Sequence, residues 1–163
     1  MEEFLEIINP LPGYHILEVT TKSGDFTRAL YQHIQGFDAE LYVAQYPGEH
    51  EDVSDLENIH IQIIPKYNAP FRATPRSQDI IVFNNIFTQH PSLQRVLKIA
   101  YTALANNSNI IIVEDRATMT KSVEEIKNIL DVNEFRSANE IIDVFEDKIV
   151  ITARKLHMWG NGL

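Results

Sequence analysis

Residues 77–115 read SQDIIVFNNIFTQHPSLQRVLKIAYTALANNSNIIIVED, and this stretch decides the fold. Asp79–Phe83 (DIIVF) is a short β-rich run that ends in Asn84-Asn85. Ser92–Leu104 follows with Leu93, Val96, Leu97, Ala100 and Leu104 at helical spacing, so one face of a helix is apolar. A polar turn at Asn106–Asn109 then leads into Ile110–Val113 (IIIV), whose β-branched residues suit a strand buried on both faces. Strand, helix and buried strand in that order form the repeating unit of a parallel sheet covered by helices.

The same alternation extends in both directions. Upstream, Tyr14–Val19 reads as a first strand after a Pro12-Gly13 turn, and Asp25–Ile34 as a helix with Phe26, Leu30 and Ile34 on one face. Glu40–Gln45 and Ile59–Ile64 read as the second and third strands. Downstream, Lys121–Leu130 reads as a helix, followed by β-rich runs at Glu140–Phe145 and Lys148–Ala153 around Glu146-Asp147. So tight a turn joins antiparallel neighbours. The expected class is therefore α/β: a doubly wound, mostly parallel sheet, helices on both faces, and a C-terminal antiparallel hairpin.

The totals agree with one domain over residues 1–163, with 1–13 as a lead-in and 156–163 as a tail. The absence of cysteine excludes disulfides, thiolate zinc sites and a cysteine nucleophile. Fourteen basic against 23 acidic residues give a net charge of −9, which opposes general nucleic-acid binding. The N-terminus lacks the basic and apolar regions of a signal peptide, and no apolar run approaches the roughly 20 residues of a membrane span. A cytoplasmic location is the expectation. The six histidines show no ligand-pair spacing, so no metal is expected.

Residues 77–115 also resemble the fourth strand, helix and fifth strand of class I S-adenosylmethionine-dependent methyltransferases. The similarity rests on Asp79, Asn85, Ile86, His90, Leu104, Asn106–Asn109 and Glu114, and the tail Glu134–Lys155 extends it. The resemblance implies an adenosyl cofactor at the carboxyl ends of the strands. It implies methyl transfer to a small-molecule acceptor, with Glu18, Thr20, Thr21, Lys22, Gly24 and Gln45 on the cofactor side. Asn84, Asn85 and His90 would then lie on the substrate side, and no residue stands out as a catalytic base.

The first half departs from the family pattern. Of the three glycine places after the first strand, Thr20, Lys22 and Gly24, only the last holds glycine. Gln45 stands where an acid usually holds the ribose, and Pro65 near where an acid usually meets the adenine. Forcing Thr20 into a left-handed conformation would cost on the order of 1–3 kcal/mol. The alternative reading is therefore a catalytically inactive binding or scaffold protein of the same fold, acting through a partner chain or as a homo-oligomer. A third is a binder of an anionic nucleotide, with Lys22 at a helix start.

Each candidate also has an ordinary structural role. Ser23 would serve as a helix cap, Asn84-Asn85 as satisfiers of turn backbone, and His90 before Pro91 as a turn residue. Loop 65–77 carries Lys66, Arg72 and Arg76 with Tyr67 and Phe71 and no acid. It reads as a lid for an acidic or phosphorylated substrate, or as a Pro-stiffened connector. His157–Leu163, with the only Trp, reads as a docking tail.

Overall fold

A computed structural model describes residues 2–156; the tail with Trp159 lies outside them. The chain order is α1 (Glu2–Leu5), β1 (His15–Thr20), α2 (Asp25–Gln35), β2 (Glu40–Gln45), β3 (His60–Ile63), β4 (Gln78–Asn84), α3 (Ile86–Gln89), α4 (Leu93–Ala103), β5 (Leu104–Asp115), α5 (Val123–Val132), β6 (Arg136–Glu140) and β7 (Lys148–Arg154). The strands form one seven-stranded sheet in the order β3-β2-β1-β4-β5-β7-β6. Strands β1 to β5 pair in parallel, and β7 runs antiparallel to both β5 and β6.

Alternation along the central strands builds two cores. Leu17, Val19, Ile81, Phe83, Ile110 and Ile112 face α3, α4 and α5. Ile16, Val43, Val82, Ile111 and Val113 face α1 and α2. Phe4 of α1 and Ile8 just after it are fully buried in the second core, so the N-terminal lead-in is a packed part of the sheet's cover.

Several boundaries differ from the sequence expectation. The last but one strand is Arg136–Glu140, not Glu140–Phe145, and residues 141–147 connect it to β7 in place of a two-residue turn. Phe135, fully buried, anchors the start of this polar edge strand, while Ile142 is exposed and Asp143 takes a positive φ of 64°. The polar stretch Asn106–Asn109 belongs to the long β5. Residues 86–89 form the short helix α3, entered through Asn85 in the left-handed region (φ 60°). Among the described residues no helix is long and apolar enough to cross a membrane.

Helix α5 shows how local sequence sets an element. Ser122 Oγ accepts from Glu125 N at 3.1 Å, and Glu125 Oε1 accepts from Ser122 N at 3.2 Å, which closes a capping box. Replacing Ser122 by Ala is expected to lower stability by about 1 kcal/mol in urea denaturation, since one orphan N–H loses its acceptor.

Candidate functional site

The parallel order reverses direction between β1 and β4. In open α/β sheets ligands bind outside the carboxyl ends of the strands at such a switch point. The residues expected at the site lie at this end of the sheet, in the last residues of β1, β2 and β4 or shortly after them.

Glu18 and Thr20 point to the α2 side of β1 and are fully buried. Glu18 Oε2 accepts from Asn84 Nδ2 at 3.0 Å, while Oε1 has no partner. Burial pushes this carboxyl up to about 7, against the lowering effect of the Asn84 hydrogen bond and the nearby Thr27 and Thr20 hydroxyls. Thr20 Oγ1 accepts from Lys22 N at 2.8 Å, and Thr21 Oγ1 donates to the Asn85 carbonyl at 2.9 Å. No residue from 20 to 24 has a left-handed φ. Thr20 ends the strand in place of opening a glycine turn, so the strain expected of it does not arise.

The chain beyond β2 lies across this turn. Tyr46 N donates to Thr20 O (2.9 Å), Glu49 N to Thr21 O (2.9 Å) and Glu51 N to Ser23 O (3.0 Å). Gln45 Nε2 donates to Ser23 Oγ at 2.9 Å. His50 Nδ1 accepts from Ser23 N at 3.0 Å, which leaves the hydrogen on Nε2, donated to Tyr46 O at 2.6 Å. Ser23 Oγ lies 2.8 Å from the same Nδ1 and donates to it. Ser23 thus fastens the two turns together without capping α2, whose N-cap is Gly24.

At the end of β4 the two asparagines are used internally. Asn84 Nδ2 serves Glu18 and also the Lys22 carbonyl at 3.3 Å. Asn85 Oδ1 accepts from Asp115 N at 2.9 Å, and its Nδ2 donates to Asp115 Oδ2 and Asn84 Oδ1, both at 3.3 Å. His90 is buried, accepts from Ser92 N at 2.9 Å, and lies edge-on to the rings of Tyr46 and Tyr67. Burial lowers its pKa.

At the end of β5, Glu114 Oε1 accepts from both Thr88 N (2.8 Å) and the Thr88 hydroxyl, while Oε2 is buried without a partner. Burial raises its carboxyl to about 7. Burial also acts upward on neighbouring Asp115, but Lys148 and Lys22 outweigh it and hold that carboxyl below its usual value. Lys148 binds Asp115 Oδ1, and Lys22 Nζ lies 3.6 Å from Oδ2.

Two hollows open over these turns. One, of about 300 Å³, has Thr21, Gly48, Tyr67, Gln89 and Thr118 in its wall. The other, of about 450 Å³, lies toward α2 against Ser23, Gly24, Phe26, His50 and Lys148. Lys22, Glu49 and Asn85 line both. Of the expected cofactor-side residues, Thr21, Lys22 and Gly24 reach a hollow, whereas Glu18, Thr20 and Gln45 lie behind its wall. From loop 65–77 only Tyr67 reaches one; Lys66, Arg72 and Arg76 are exposed elsewhere. Tyr67 is held there by its hydroxyl, which donates to Pro47 O at 2.6 Å, and by its ring stacked on Tyr46.

Sequence reading passed over Gly48, Glu49 and His50. The Pro47-Gly48 turn was the available signal, but its partner is a backbone carbonyl 27 residues earlier in the chain.

This sheet order, with an antiparallel strand inserted beside β5 and the hollow at the β1/β4 switch point, is the class I S-adenosylmethionine-dependent methyltransferase-like fold. A SAM dependent methyltransferase from Aquifex aeolicus superposes with a TM-score of 0.75 at 14% identity, over 95% of this chain and 89% of that one. CurJ carbon methyltransferase gives 0.71 at 15% identity, over 94% and 51%. Haemonchus contortus phosphoethanolamine N-methyltransferase 2, in complex with S-adenosyl-L-methionine, gives 0.69 at 10%, over 94% and 51%. The chain thus spans about half the length of the last two proteins and most of the first. At such identities the likeness is one of fold. No family model matches the chain, and no curated protein is similar to it in sequence.

Proposed function

We propose that this protein binds S-adenosylmethionine in the hollow over the carboxyl ends of β1, β4 and β5 and orients it toward a small-molecule acceptor. The observation that carries the reading is the placement of the hollow: it opens at the switch point of a methyltransferase-type sheet, beside a turn that stays unstrained without the usual glycines.

The lining suits such a cofactor in a changed manner. The volume is at the lower end of the ligand-pocket range of roughly 300–1,000 Å³. The Tyr67 ring offers an aromatic face, Lys22 a cation, and Glu49 and Asp115 carboxylates, with Thr21 in the same wall. When bound, S-adenosylmethionine supplies an already activated methyl group. The chain's own share is to bind, to align and to exclude water. Glu18 and Glu114 have no exposed surface, so neither takes a proton from an acceptor in the hollow.

Thermal melts with S-adenosylmethionine and S-adenosylhomocysteine test the proposal. A ligand at one hundred times its Kd adds about 2.7 kcal/mol, so Tm is expected to rise by about 5–10 °C for a chain of this length. No rise at millimolar ligand overturns it and favours a partner-binding role. A rise with nucleoside phosphates alone favours an anionic nucleotide.

A further inference from the structure

We infer that Glu49 and Lys22 grip the amino-acid head of the ligand, Glu49 taking its ammonium and Lys22 its carboxylate; the assignment rests on the adenosyl reading above. Among the described residues they are the only charged side chains that line both hollows, so together they stand where the two cavities meet.

Their present engagements leave both available. The Glu49 carboxylate makes no hydrogen bond or ion pair with any described residue. Its backbone is nevertheless fixed at the mouth by the bond from Glu49 N to Thr21 O, behind a Gly48 packed on the same carbonyl. Lys22 is more than half exposed, and among the described residues its only ion-pair partner is Asp115 at 3.6 Å. Asp115 keeps Lys148 on its other oxygen, so Lys22 can turn to a ligand without stranding a carboxylate.

The neighbouring polar groups are not available in this way. Gln45 gives its amide hydrogen to Ser23, Asn84 gives its own to Glu18 and Lys22 O, and Asn85 uses both ends of its amide on Asp115. Lys22 and Glu49 form no ion pair with each other, although they border the same space. A cation and an anion held apart across a hollow complement a zwitterion, and α-amino acid heads are zwitterions at neutral pH.

Calorimetric titration with S-adenosylhomocysteine and with 5′-methylthioadenosine, which keeps the adenosine and thioether but lacks the amino-acid head, tests the inference. The wild-type chain is expected to bind the first at least tenfold more tightly than the second. Glu49→Gln and Lys22→Met should each remove most of that preference while leaving 5′-methylthioadenosine affinity within about twofold, so the headless ligand also reports that the variants are folded. Increasing salt should weaken the first ligand and spare the second. Equal affinities in the wild-type chain, or variants that retain the preference, overturn the inference and leave the adenosyl reading standing. Binding of neither ligand overturns both.

Discussion

Urea denaturation is expected to show this protein losing stability as pH rises from 5 to 8, and Glu18→Gln should remove a part of that loss on the order of 2–3 kcal/mol. The Glu18 carboxyl has no exposed surface, one oxygen without a partner, and a pKa raised by burial from 4.5 to about 7. A carboxyl raised on folding holds its proton more tightly in the folded state. The stability this provides is complete below the unfolded value near 4.5 and is lost as pH rises through about 7. Glu114, also raised to about 7 with one orphan oxygen, contributes in the same sense and window. His90 works in the opposite sense, because burial lowers the pKa of a base. The difference between variant and wild type at each pH cancels His90 and isolates Glu18. Gln keeps the size and the acceptor for Asn84 but cannot ionise. The difference should grow in favour of Glu18→Gln from pH 5 to pH 8; a difference that stays flat rules out a buried, proton-holding carboxyl. Glu114→Gln should act likewise, and the double variant should be nearly additive, since each carboxyl has its own hydrogen-bond partners.

Elements buried by periodic apolar residues were legible. The run Ile110–Val113 and the spacing of Val96, Leu97 and Ala100 declare a strand covered on both faces and a helix packed on it, and both stand where expected. Strand β6 escaped because its sequence, RSANE, is polar: an edge strand is held by its pairing with β7 and by Phe135, not by its own apolar face. The nearby EIIDVF has the β-branched composition but follows an exposed bend through Ile142 and Asp143. At the site, sequence reading brought Glu18, Asn84 and Asn85 to the right end of the sheet. It could not tell that Glu18 lies behind the wall, because burial by α2 depends on Thr27 and Asn84 closing around it. The crossing of 46–51 over 20–23 was hidden for a like reason: its bonds join backbone atoms that any residues would carry.

That crossing makes the two glycines of the site unequal, and in the reverse of the order the family pattern suggests. Gly24 occupies the retained glycine place, yet its φ of 165° is extended backbone that any residue adopts. A Cβ there would meet only the end of the exposed Glu51 side chain, at 2.8 Å from Oε2, and that chain can swing into solvent. Gly24→Ala should therefore cost no more than about 1 kcal/mol, the ordinary loss for a poorer helix N-cap. Gly48 has no counterpart in the pattern, but a Cβ on it would sit 2.0 Å from Thr21 O and 2.9 Å from Thr21 C. These are backbone atoms fixed by β1 and by the bond from Glu49 N, so one turn must leave the other. Gly48→Ala is expected to lower stability by about 3 kcal/mol, the upper part of the overpacking range. It should also weaken S-adenosylhomocysteine more than 5′-methylthioadenosine, because the displaced turn carries Glu49. Equal stability losses for the two alanine variants would mean that segment 46–51 does not lie on the turn after β1, and the wall of the hollow would have to be drawn elsewhere.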